Sequence, residues 1–103
     1  MNYQLVLQYR GDSLEDYDAM MVLEDELIAR MGTTAHLDGN DMGCGERNIF
    51  ILTPDPRRTF RHILPVLERA ESLDGVVAAF RGLESEQYTV IWPEGFAKEF
   101  RIA

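Results

Sequence analysis

Between His36 and Arg47 the chain reads HLDGNDMGCGER, which gathers an imidazole, a thiol, three carboxylates, an amide and a guanidinium into twelve positions. Asp38, Asn40, Asp41 and Glu46 are oxygen donors of the kind a hard cation takes. Asp38, Asn40 and Gly43 fall at the first, third and sixth positions of a calcium loop. Met42 at the fifth and Ile49 at the twelfth break that pattern, because the twelfth must be a bidentate glutamate. Side-chain turns by Asp and Asn around positive-φ glycines account for the same residues without a metal. His36, Cys44 and Asp41 also read as a soft-metal set or a thiol–imidazole pair. Neither CxxC nor HxxxH spacing accompanies them, and a nucleophilic thiol needs a lowered pKa. Gly43-Cys44-Gly45 lacks the Lys-Ser/Thr and the following helix of a phosphate loop. No cofactor and no catalytic residue is expected.

A second feature lies upstream. At about 100° per residue, Leu14, Tyr17, Met20, Met21, Leu27, Ile28 and Met31 make one apolar stripe, and Glu24 falls near its middle. A buried carboxylate without a partner costs several kcal/mol, so Glu24 must be satisfied. Backbone N–H groups, Arg47 or Arg10 are the expected donors. Alternatively, Glu24 is a ligand-binding carboxylate facing the glycine-rich segment. Glu24, His36, Asp38, Asp41, Cys44, Glu46 and Arg47 therefore form the candidate site.

The elements that must position these residues follow from periodicity. NYQLVLQYR alternates as a strand over residues 2–10. Ser13 and Asp16 begin a helix with a capping box, and the helix reaches about Met31 and stops at Gly32. Residues 33–37 and 47–53 read as two strands joined by the glycine-rich loop. Asp55 caps a second helix with Pro56 at its first position, and Pro65 should kink or divide it. Residues 76–81 and 87–92 complete the set as strands.

A 103-residue chain is one domain, 1–103, and 46% hydrophobic residues exclude disorder. No apolar run approaches the roughly 18 residues of a membrane helix, and the N-terminus lacks a signal-peptide pattern. The single Cys44 forbids an internal disulfide, which favours a cytoplasmic setting. A net charge of −8 opposes nucleic acid and anionic lipid. His62, among the arginines of the second helix, reads as a solvated surface residue.

The order strand-helix-strand-strand-helix-strand, plus one further strand, resembles the ferredoxin-like (split βαβ) fold. That likeness implies an α+β domain with two helices on one face of an antiparallel sheet. It also implies strand order 4-1-3-2, with the last strand beside the fourth. Asp38 to Leu52 is similar to a DGxDxGxGExNIFIL-type segment of small bacterial proteins, which brings no activity with it. Acidic residues concentrate in residues 1–53, so a surface around the first helix and residues 38–46 is expected to meet a partner with a basic surface; size and acidity also loosely resemble toxin-immunity and inhibitor proteins. A homodimer covering the open sheet face is a second expectation. The rival is a ligand- or metal-binding regulatory module built on Glu24 and residues 38–46.

Overall fold

In the computed structural model, which describes Met1–Ala103, the first alternation becomes strand β1 (Tyr3–Arg10). Helix α1 (Leu14–Met31) follows. Ser13 Oγ accepts from the Asp16 amide, and Asp16 returns the bond to the Ser13 amide, so the capping box is complete. Gly32 ends the helix at φ 55°, a conformation glycine enters without a Cβ penalty.

Strand β2 (His36–Gly43) and strand β3 (Glu46–Thr53) form a hairpin. The expected strand at 33–37 and loop at 38–46 are therefore corrected. Most of the glycine-rich segment is itself strand, and the connection shrinks to Cys44-Gly45. Sequence favours a loop there because Gly, Asp and Asn are poor strand formers. The strongly strand-forming NIFIL run supplies a ladder that overrides that preference.

Asp55 caps helix α2 (Pro56–Arg69), which runs unbroken through Pro65. Strands β4 (Val77–Gly82) and β5 (Thr89–Trp92) complete the sheet. Its order is β2-β3-β1-β4-β5, and every neighbouring pair is antiparallel. The chain is thus α+β, with two helices and a five-stranded antiparallel sheet compatible with a ferredoxin-like arrangement. No helix is long and apolar enough to cross a membrane.

Alternation along β1 divides the core. Leu5, Leu7 and Tyr9 join Ile49 and Ile51 of β3, Met20, Leu23 and Leu27 of α1, and Ile63 and Leu67 of α2. Val6 points the other way, onto Ala79 and Phe100. The second sheet face, expected to lie open for another copy, therefore carries the chain's own segment after β5. Phe100 packs against Tyr88 there, with ring centroids 4.9 Å apart and the planes tilted by 58°.

The helix stripe also needs correction. Met20, Leu23, Glu24, Leu27 and Met31 are buried, whereas Leu14, Tyr17 and Ile28 are exposed. Helix α1 holds more apolar side chains than one core-facing stripe can take, and the stripe that wins is centred on Leu27.

Candidate functional site

The hairpin tip is built from two residues. Gly43 and Glu46 pair across it, and Cys44 and Gly45 sit at φ 54° and 78°. Two consecutive positive φ values are what a type I′ turn requires, and this turn matches the twist of the strands it joins. The tip is docked on the loop between β1 and α1. Gly11 N–H donates to the Gly45 carbonyl at 2.7 Å, and Gly45 N–H donates to Asp12 Oδ2 at 3.0 Å. Gly11, at φ 101°, must be glycine, since a Cβ there would strike the Asp16 carboxylate.

Arg47 clamps the same corner. Its Nη1 donates to the carbonyls of Arg10 and Gly11 and lies 3.5 Å from Asp16 Oδ1. Its guanidinium stands 5.1 Å over the Tyr9 ring. The bond from the Ser13 amide holds the Asp16 carboxyl below its usual range, helped by the Ser13 side chain and by Arg47. Burial pushes the Tyr9 phenol well up, against the smaller opposing pulls of Arg47 and of its bond to the Ser72 carbonyl. Arg47 thus acts on the tip and the β1–α1 loop, and a different residue serves Glu24.

Glu24 is buried, at 8% exposure, and its Oε2 accepts from Asn40 Nδ2 at 2.7 Å. The expected arginine and backbone donors are replaced by this amide. The cause is a β-bulge. His36 and Leu37 pair with Leu52 and Ile51, then the register shifts so that Gly39 meets Phe50 and Asn40 meets Ile49. An unbroken ladder would have put Asn40 opposite Asn48, on the far face. One extra residue, Asp38, flips the phase and turns Asn40 in beneath α1.

Glu46 belongs to the opposite face. Its Oε2 accepts from Gln8 Nε2 at 3.3 Å, Asn48 Nδ2 at 3.0 Å and the Ala103 amide at 3.0 Å. Gln8 Nε2 also reaches the Arg101 carbonyl at 2.8 Å. Asn48, 1% exposed, is fully satisfied in this network. Glu46 is therefore a clip for residues 101–103.

The sequence-derived set is consequently split. Glu24 meets Asn40, Arg47 meets Asp16, and Glu46 meets Gln8 and Asn48, on two faces of one sheet. His36, Asp38, Asp41 and Cys44 are exposed. No three His, Cys, Asp or Glu side chains converge as a metal would need. Extended backbone sends successive side chains to opposite faces, so the oxygens of β2 cannot curl around one ion as a loop's would. No family model, curated protein or solved structure matches the chain.

The first helix was expected to present an acidic surface, and the feature not foreseen is the apolar part of its outer side. Leu14 is 77% exposed, Val22 60%, Ile28 52% and Tyr17 40%. Glu15, Asp18 and Asp25 are exposed among them. The available signal was the apolar surplus of α1, which a single buried stripe could not absorb.

Proposed function

We propose that this chain is a non-catalytic, ferredoxin-like protein-binding domain of the cytoplasm, acting as an immunity or inhibitor protein does. Its partner would carry a basic surface with apolar side chains. The observation that carries this reading is the exposed apolar group Leu14, Tyr17, Val22 and Ile28, interleaved with Glu15, Asp18 and Asp25. Spread along one helix, these side chains offer a partner apolar contacts at several points, and the charge between them selects and steers that partner. The ferredoxin-like assignment, with both helices on one face, is supported by the strand order and by a single core cluster shared by α1, α2 and β1.

A binding role is favoured over catalysis because the buried carboxylate Glu24 already serves Asn40, and Glu46 already serves Gln8, Asn48 and Ala103. The same facts give little support to a ligand or metal module on Glu24 and residues 38–46. A second copy suits the α1 surface less well than a basic partner, since twofold pairing would set like charges face to face.

The test is affinity capture with the wild type and with Tyr17→Glu/Ile28→Glu. A basic protein retained by the wild type, lost by the double variant and weakened by salt supports the reading. Identical capture by both proteins would refute it.

A further inference from the structure

A cleft of 1020 Å³ opens between the C-terminal end of α1 and the N-terminal turn of α2, and Arg30, Arg58, Arg61 and His62 line it. Asp55 is the one carboxylate in its wall. This is a local inversion of charge, because the whole chain holds 18 acidic side chains against 10 basic ones. Even so, the only ion pairs in the molecule are Arg47–Asp16 and Arg101–Glu99. The three cleft arginines therefore have no carboxylate partner. Asp55 faces the helix end, where its Oδ1 accepts from the Arg58 amide at 3.2 Å.

We propose that this cleft binds a small polyvalent oxyanion, of the phosphate-ester or polycarboxylate type. Guanidinium forks match oxyanions geometrically, and their charge-assisted bonds are the stronger ones. Unpaired like charges held together repel one another, and an anion between them relieves that repulsion. The first turn of α2 adds the positive end of its dipole.

The α1 end could oppose this with its carbonyls, but three of its last four are already occupied. Gly32 N–H takes the Ile28 carbonyl, the Thr34 amide and hydroxyl take Met31, and His62 Nε2 donates to Arg30 at 3.0 Å. In return Arg30 Nε donates to the His62 carbonyl at 2.8 Å, which fixes the side chain and leaves its terminal nitrogens for a ligand. Beneath them, Thr53 and Thr59 close the floor with a mutual hydroxyl bond of 2.6 Å. The wall is thus prepared for negative charge without depending on the acidic surface of α1.

Calorimetric titration with inorganic pyrophosphate and, separately, with citrate tests this at fixed ionic strength, which keeps general screening constant. Saturable one-to-one binding of at least one probe is expected, and which probe binds tells phosphate from carboxylate recognition. Arg58→Gln/Arg61→Gln should weaken it about tenfold or more, since each lost charge-assisted bond is a large share of such an affinity. Arg57→Gln/Arg69→Gln removes the same charge from α2 outside the cleft and should change it by less than about twofold. Circular dichroism confirms that each variant is folded. No saturable binding of either probe, or equal weakening by the two double variants, overturns the proposal.

Discussion

Removing Asn40 should damage this protein more than its exposed position on a strand edge would suggest. In Asn40→Ala the Glu24 carboxylate, 8% exposed, loses the amide that satisfies it at 2.7 Å. Hydrogen bonds to charged groups are worth about 1.5–3 kcal/mol, and a buried acceptor left without a donor forfeits its desolvation energy as well. A loss of about 2–3 kcal/mol follows, or roughly 10–20 °C in the midpoint for a domain near this size. Glu24→Gln keeps an acceptor of the same shape and gives up only the charge assistance, about 1 kcal/mol. In Glu24→Ala the amide left behind is solvent-accessible and finds water, so the variant loses the bond and some packing but strands no charge. Urea unfolding of Glu24→Ala, Asn40→Ala and the double variant closes a thermodynamic cycle, in which a coupling of about 1–2 kcal/mol is expected. Additivity within about 0.5 kcal/mol would show that the two side chains are neighbours without being partners, and the bulge would lose its stated purpose.

Arg47→Gln should cost about 2 kcal/mol in urea unfolding through the lost bonds to the Arg10 and Gly11 carbonyls, and Arg47→Lys should recover only part of it, since an ammonium can donate to both carbonyls but cannot lay a planar guanidinium over the Tyr9 ring. Cys44→Asn should raise stability by about 0.5–1 kcal/mol, because asparagine tolerates the φ of 54° better than cysteine; an unchanged or lower midpoint would contradict the turn geometry. The raised Tyr9 phenol keeps its proton in the folded state after the unfolded chain loses it. Its contribution to stability is therefore intact below pH 10.0 and falls as pH rises beyond it, a limb that Tyr9→Phe should flatten in pH-resolved unfolding. Asp16 runs the opposite way: its lowered carboxyl contributes above pH 3.8 and the contribution disappears as acid is added, so Asp16→Asn should reduce the acid-side slope.

The elements were legible wherever local chemistry and long-range packing agree. Ser13, Asp16, Gly32, Asp55 and Pro56 mark helix ends by bonds made within a few residues, and such signals survive in a single sequence. The NIFIL run declares itself a strand for the same reason. The 38–43 segment misleads because its strand character is borrowed from β3, and a propensity scale reads only the borrower. Burial of Glu24 was legible from the helical period, but its donor was not. Asn40 reaches it only after a one-residue slip at Asp38, and a bulge of this type leaves no composition mark beyond a nearby glycine. Likewise, the places of Leu23 and Leu14 on α1 depend on which side of the helix meets the sheet. Two neighbouring stripes on one helix are equally apolar in sequence, and tertiary contact decides between them.

The slip at Asp38 also bears on how the protein keeps to itself at high concentration. An unpaired outer strand is a template on which another molecule can zip, and long flat rims seed fibrils. Here one rim is twisted out of register at Asp38 and studded with Asp38 and Asp41, while the other, β5, offers only four residues. The distortion that delivers an amide to Glu24 thus also interrupts the only rim long enough to nucleate sheet growth.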